Sequence, residues 1–346
     1  MTEKILRNKI KALRLRNEQL PTVSNTEWYS LFKDEIRNSI AIEGVFTNRQ
    51  DLADVLDNNK RTNKQKAAAI LGYFESAGTM YEYANNQFKE NEFALRMADI
   101  KQIHTILMRY EKEIGIYIGE VGEFRKTTAE VTQSTFTPCD HFYLREVMEL
   151  FVDWVNSRLK KKSVSPVGLA AQAHAWFETI HPFTDGNGRV GRILLNYILV
   201  GCGLLNVAIK GASPKDRDAY YDLLEQSDDY FEKLIRQVEH GQKIKLGDID
   251  NKVILKSCTP LQDMLEALLE DVVSKLEKSQ KPIQANAEAI IPLRDLAELY
   301  NYSQDYLRNL INRGQLKARK KGKLWYVKVK DMAAYVSSQQ INSVRR

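Results

Sequence analysis

The sequence predicts a mainly α-helical protein with a short strand-forming stretch near the C-terminus. Three observations carry this. Apolar residues recur at helical spacing through Trp28, Leu31, Phe32, Ile36 and Ile40. They do so again through Leu169, Ala173, Trp176 and Ile180, and through Leu261, Met264, Leu265, Leu268, Leu269, Val272 and Leu276. A basic segment, LKARKKGKLWYVKV, reads instead as two strands turned at Gly322.

The elements follow in order. The first twenty residues are charged throughout and hold no apolar signal-peptide core. Ser24 and Glu27 form a capping box ahead of the first periodic run. Gly44 is a natural residue just past a helix end, so Glu43 closes that helix. A carboxylate there faces the negative end of the helix dipole, so helix stability does not explain it. Ser165 and Pro166 start a helix that runs to Ile180. Pro182 biases His181 out of helical geometry and ends it. Thr184 to Gly188 is turn chemistry, and a helix from Arg189 to about Val200 follows. Near the C-terminus, Pro282 marks a linker, and Ile291 and Pro292 start a short helix, LRDLAELY. Ser303 caps a second helix, QDYLRNLINR, which stops at Gly314.

The richest chemistry lies in His181 to Arg192, HPFTDGNGRVGR. Gly186 and Gly188 permit positive φ and close backbone approach, and such a turn forms an anion-binding nest. The following helix directs its unpaired N–H groups to the same place. Arg189 and Arg192 share a helix face and carry forked donors for phosphate oxygens. Asp185 is a hard oxygen ligand suited to Mg²⁺ bound through substrate phosphates. The glycines also spell GxGxxG, but that dinucleotide fingerprint needs a preceding strand, and a helix precedes it here. His174 and His181 lack the cluster that a zinc site requires.

This loop resembles the Fic signature HPFx[D/E]GNGRxxR, with every fixed position present. The resemblance implies an all-helical core and transfer of AMP from ATP to a protein hydroxyl. It casts His181 as general base and Asp185 as the Mg²⁺ ligand. Gly186, Asn187 and Gly188 would hold the α and β phosphates, with Val190 and Gly191 completing the phosphate-binding stretch. Arg189 would contact the β phosphate and Arg192 the γ phosphate, while Phe183 anchors the loop. Ser39 to Gly44, SIAIEG, resembles the family's inhibitory motif [S/T]xxxE[G/N]. Glu43 would then pair with Arg192 in place of the γ phosphate, Ser39 would fix the helix, and Glu43 could also assist hydrolytic removal of AMP. Gly122-Glu123-Phe124-Arg125 with Val131 to Pro138 looks like the family's small β-hairpin flap, which docks a target segment by strand addition. Tyr220 and Tyr221 resemble the region that closes over the adenine.

The tail resembles an excisionase- or MerR-type winged helix. In that reading Gln304, Asp305, Arg308 and Asn312 face a DNA groove, and Lys320, Lys321 and Lys323 contact phosphates. Residues 286–346 hold 12 Lys and Arg against 5 Asp and Glu in a chain of net charge +6, so the basic excess sits there. Protein docking is the competing use of such a module.

The expected organisation is an N-terminal helical region (1–95), a Fic core (96–255), an amphipathic helix and linker (256–285) and a winged helix-turn-helix (286–346). The amphipathic helix could pack on the core or pair with a second copy in a homodimer. Length suits two or three domains, and no eighteen-residue apolar run suggests a membrane span. Cys139, Cys202 and Cys258 are few and isolated, which fits a reducing cytoplasm. Two functional classes result. One is an autoinhibited, Mg²⁺-dependent adenylyltransferase whose target could be this same chain. The other is a DNA-binding regulator with a nucleotide-sensing core. Retention of His181 and Asp185 favours the enzyme, and a nucleotide donor other than ATP is its internal alternative.

Overall fold

The computed structural model describes residues 3–17, 20–58, 63–131, 136–161, 163–249, 256–279, 290–300, 302–322 and 324–335. In chain order the helices are α1 (Glu3–Arg16), α2 (Thr26–Ile42), α3 (Arg49–Leu56), α4 (Lys64–Glu90), α5 (Met97–Glu113), α6 (Leu144–Leu159), α7 (Pro166–Ile180), α8 (Asn187–Gly201), α9 (Pro214–Glu239), α10 (Leu246–Ile249) and α11 (Thr259–Ser279). Then come β1 (Ile290–Pro292), α12 (Leu293–Tyr300), α13 (Gln304–Asn312), β2 (Ala318–Lys321) and β3 (Leu324–Lys328). Contacts divide the chain into two compact units, Pro21–Val272 and Met1–Leu20 with Val273–Arg346.

The first unit is helix on helix. α4 packs against α5 and α8, α7 against α6, α8 and α9, and α2 against α4 and α8. α8 is buried on all sides, with Asn187, Arg189, Arg192 and Asn196 the polar residues enclosed along with its apolar ones. Val190, Ile193, Leu194, Leu195, Ile198 and Leu199 are fully buried. Each such side chain stabilises by about 1.5–3 kcal/mol on burial, so the helix that follows the His181 loop is a rigid base for it. α2 buries the predicted stripe of Trp28, Phe32, Ile36 and Ile40. It also buries Glu35, whose carboxylate accepts hydrogen bonds from Tyr73 (2.9 Å), Tyr81 (2.6 Å) and Asn206 (2.6 Å).

In the second unit, β1, β3 and β2 form one antiparallel sheet in that order, with Ile291 opposite Val327 and Lys320 opposite Trp325. Its core joins Ile291, Leu293, Leu296, Leu307, Leu310, Leu316, Val327 and Met332. Residues 329–335 are helical. α1 packs on α12, and Lys11 lies 3.8 Å from Asp295.

Several local expectations are corrected. Asn25, not the Ser24–Glu27 box, caps α2, because its side chain accepts the Trp28 N–H at 2.8 Å. α8 begins at Asn187 rather than Arg189, since Gly186 at φ +81° already serves as its N-cap. Ile291 and Pro292 do not open a helix. They pair with β3 as an edge strand, where proline's missing donor is tolerated. No strand is assigned among the described residues of the expected flap, and residues 132–135 lie outside them. Arg125 there directs its backbone N–H to Pro182 O (3.0 Å) instead of to a hairpin partner.

Candidate active site

α7 is started by Ser165, which accepts the Gly168 N–H at 2.9 Å, and by Pro166 in its first turn. It ends at His181, which takes left-handed geometry at φ +53°. A non-glycine residue held there costs on the order of 1–3 kcal/mol, so the surroundings must over-determine it. Arg125, 4% exposed, does so: its Nε donates to His181 O at 2.8 Å, and its backbone holds Pro182. The same guanidinium reaches the carbonyls of Thr127 and Cys139.

The rest of the loop is equally pinned. Phe183 is buried and stacks on His104, with centroids 3.9 Å apart and planes at 10°. His104 Nδ1 accepts the Gly122 N–H at 2.8 Å, which leaves Nε2–H to donate to Asp185 O at 3.2 Å. Burial holds this imidazole neutral, with its pKa down at about 4. The Asn187 amide closes the turn by bonding both N–H and C=O of Phe183 at 2.8 Å. A Cβ on Gly186 would lie 2.8 Å from Met108 Sδ, so the turn needs glycine for space as well as for φ.

The loop opens onto a cavity of about 380 Å³. His181, Asp185, Gly186, Asn187, Gly188 and Arg192 line it together with Tyr220, Tyr221, Leu224 and Asp228. His181 Nδ1 lies 3.3 Å from Glu178 O. Donation there leaves Nε2 as the free acceptor. Burial lowers the imidazole to about pKa 4, with Arg125 adding to the effect, so the ring is neutral at physiological pH. Burial has the opposite effect on two carboxyls of the wall: Glu178 is pushed up to about 8 and Asp228 to about 7.

Arg192 is the electrostatic centre. Its Nε donates to Ser39 Oγ (2.8 Å), and Nη2 donates to Ser39 O (3.1 Å) and Glu43 Oε1 (2.5 Å). Burial alone would raise the Glu43 carboxyl, but Arg192 and then Arg189 hold it below its ordinary value. Glu43 raises Arg192 in turn, against burial. The carboxylate lies over the loop itself: a Cβ on Gly188 would sit 2.4 Å from Glu43 Oε1. Tyr220 stands beside the pair, with its ring 5.9 Å from the guanidinium and its hydroxyl 2.6 Å from His174 Nε2.

Most sequence-predicted residues therefore converge, but not all in the expected way. Glu43 lines the cavity and Ser39 holds Arg192. Gly44 takes φ +81° just past the helix end. Arg189 does not line the cavity. It is buried against Glu111 of α5, with Nη2 3.3 Å from Glu111 Oε2 and 4.0 Å from Asp185. Val190 is core, and Gly191 faces Glu178, whose Oε1 would meet a Cβ at 2.0 Å. Tyr220 is the buried tyrosine and Tyr221 the exposed one, at 41%. Sequence reasoning missed Glu111, His104 and Glu178 because each comes from a helix face without a motif. Arg125 falls within the flap motif, which carries no sign of its grip on His181.

A second surface lies on the smaller unit. Gln304, Asp305, Arg308 and Asn312 are all exposed on α13, and Arg308 Nη1 donates to Asp305 Oδ1 at 2.9 Å. Lys320 and Lys321 are exposed on β2, with Lys320 5.6 Å from the Trp325 ring centroid. Lys323 lies outside the described residues.

Comparison with known proteins gives matches to both units. A family model described as the Fic/DOC family matches residues 94–199, and one described as a helix-turn-helix domain matches 293–340. A probable protein adenylyltransferase of Aquifex aeolicus is 27% identical over 303 residues, covering 87% of this chain and 86% of that protein. A protein adenylyltransferase Fic of Nematostella vectensis is 32% identical over 158 residues, or 46% of this chain. The chain spans only about a third of that relative's length (34%). Among solved structures, a Fic domain-containing signaling protein from Bacteroides thetaiotaomicron aligns with TM-score 0.59 at 22% identity, covering 88% of this chain and 98% of that one. Fic-1 from C. elegans aligns at 0.54 and 21%, covering 80% and 74%. At these identities the structures bear on the fold.

Proposed function

From a chain that carries a Fic domain and a C-terminal helix-turn-helix domain, we propose a protein adenylyltransferase that uses ATP and is held inactive by its own α2. The observation that carries the reading is the meeting of His181, the Gly186–Gly188 turn and Arg192 in one cavity, with Glu43 seated on Arg192. The names of the Aquifex and Nematostella relatives support the reaction class.

The chemistry is a displacement at the α phosphorus. The target hydroxyl oxygen attacks, the bond to the bridging oxygen of pyrophosphate breaks, and pyrophosphate leaves with its electron pair. The hydroxyl proton passes to His181 Nε2. The neutral ring and the Nδ1 contact with Glu178 O suit that role. Backbone N–H groups at the start of α8 and the Arg192 fork would neutralise phosphate charge. Arg189, paired with Glu111, would act on the β phosphate only from behind the turn.

Among the described residues no cluster of three metal-binding side chains exists. Asp185 alone, with an exposed carboxylate, fits a Mg²⁺ whose coordination is completed by substrate phosphates, and the ion would there offset their charge. Inhibition follows from competition, because Arg192 cannot serve Glu43 and a γ phosphate together. We assign the winged unit to DNA through the exposed Arg308–Asn312 face and the β2 lysines. The cysteines Cys139, Cys202 and Cys258 are all free, which agrees with the cytoplasm. No described helix is long and apolar enough to cross a membrane.

The test incubates the wild type, Glu43→Gly and Glu43→Gly/His181→Ala with α-labelled ATP, Mg²⁺ and cell lysate. Protein-bound label that appears with Glu43→Gly and vanishes with the double variant is the expected result. Absence of label in all three would refute the transferase and favour the DNA-binding regulator.

A further inference from the structure

α2 has a second face. Opposite its buried stripe, Ser30, Lys33, Asp34 and Arg37 recur at spacings of three and four and form one outer row. This row meets Arg49 and Leu52 of α3 around a separate cavity of about 210 Å³. Three cations and one carboxylate line it. Lys33 is already engaged, 2.9 Å from Asp57 and 4.4 Å from the Tyr29 ring centroid. The two arginines are held more loosely. They share Asp34 at 3.4 Å and 3.9 Å, longer than good hydrogen bonds. Arg37 Nε is buried and has no hydrogen-bond partner among the described residues. A buried N–H without an acceptor is costly, and two guanidinium forks beside a small cavity, Arg37 28% and Arg49 81% exposed, suit a tetrahedral oxyanion that enters from solvent.

We propose that this cavity is a regulatory site for a phosphate group, free or as a small monoester, that locks α2 in its inhibitory position. The regulatory half rests on the adenylyltransferase reading. Arg37 stands six residues before Glu43, and Arg49 six residues after it. The Glu43–Asn48 connection runs between α2 and α3. An anion that bridges the two arginines ties down both ends of the segment whose midpoint is Glu43. Glu43 then leaves Arg192 less readily, so an occupied site deepens inhibition and loss of the anion relieves it.

The experiment uses the full chain. Inorganic phosphate and glycerol 3-phosphate are titrated calorimetrically at constant ionic strength into the wild type, Arg37→Gln/Arg49→Gln and Glu43→Gly. Far-UV circular dichroism confirms folding. Saturable binding is expected in the wild type and in Glu43→Gly, with affinity at least about tenfold weaker in the double variant. The tighter of the two probes identifies free phosphate or monoester as the ligand. Equal affinity in the wild type and the double variant would overturn the site, whatever the activity of the cavity at His181.

A second arm measures AMP incorporation. Phosphate is expected to slow the wild type at least about fivefold beyond a matched chloride control, and to slow Arg37→Gln/Arg49→Gln no more than about twofold. Binding without that difference would overturn the regulation. If no protein incorporates AMP, the transferase reading fails, and the titration still decides the site.

Discussion

Replacement of Glu43 by glycine is the sharpest perturbation available. In the wild type, a γ phosphate that reaches Arg192 must displace a carboxylate at 2.5 Å from Nη2. The Glu43 side chain is 29% exposed and Arg192 4%, so the pair is only partly screened. Charge-assisted hydrogen bonds of this kind are worth about 1.5–3 kcal/mol net. At 1.36 kcal/mol per tenfold, removing the competitor should raise the rate about 10- to 150-fold, provided Arg192 keeps its geometry. It should, because Ser39 still accepts from Nε and Nη2. Glycine is also acceptable at the helix end, where Glu43 has φ −85° and ψ 14°. The assay is the initial rate of labelled AMP incorporation at saturating ATP and Mg²⁺, with both proteins checked by circular dichroism. A second signature is thermal. Glu43→Gly without ligand should melt lower than the wild type, since it leaves Arg192 short of a counter-charge, and ATP should raise its Tm more than that of the wild type. Rates equal within twofold, with both proteins folded, would refute the argument that Glu43 and the γ phosphate compete.

Other consequences follow from the same geometry. Arg125→Ala in the Glu43→Gly background removes the guanidinium bonds to His181 O, Thr127 O and Cys139 O while keeping the backbone bond to Pro182, and kcat should fall about 10- to 100-fold with little change in KM for ATP. A KM effect alone, in steady-state kinetics, would contradict its positioning role. Because burial places the His181 pKa near 4, and Glu43 is among the groups that raise it, the acid limb of kcat/KM in Glu43→Gly should lie at or below about pH 4; a limb near pH 6.5 would show that the ring is not buried as described. Burial also raises Glu35 from 4.5 to about 7, so the folded state binds the extra proton between those values. Its contribution to stability is therefore greatest below pH 4.5 and falls as pH rises to about 7, and Glu35→Gln should flatten that slope in denaturant titrations. On the winged unit, Lys320→Ala/Lys321→Ala should lower the slope of log affinity for duplex DNA against log salt by about 2, as fluorescence anisotropy would show. An unchanged slope would point to protein docking instead.

Periodicity and punctuation made much of the fold legible. Pro166 with Ser165, Pro182 and Gly44 mark helix ends that stand where the sequence puts them. These are local effects of φ restriction and capping, and local effects survive folding. Ser24 failed as a cap because Asn25, one residue on, offers the same chemistry in better register. Ile291 and Pro292 became a strand because β3 was there to pair with them, which no short window can report.

The site divides in the same way. Residues inside HPFTDGNGRVGR could be named because turn, helix start and phosphate donors share one short segment. By itself the sequence determined that a histidine, an anion nest and two arginines would lie together at a helix junction, since twelve consecutive residues cannot separate. Only the tertiary structure decided what each arginine faces. Arg189 turns to Glu111 of α5, and Arg192 to Ser39 and Glu43 of α2, side chains 78, 153 and 149 residues away in the chain. The helix face that carries both arginines is encoded locally. The carboxylates that claim them arrive through packing of α5 and α2 on α8, and that packing is driven by apolar burial, which carries no information about charge until the chain has closed.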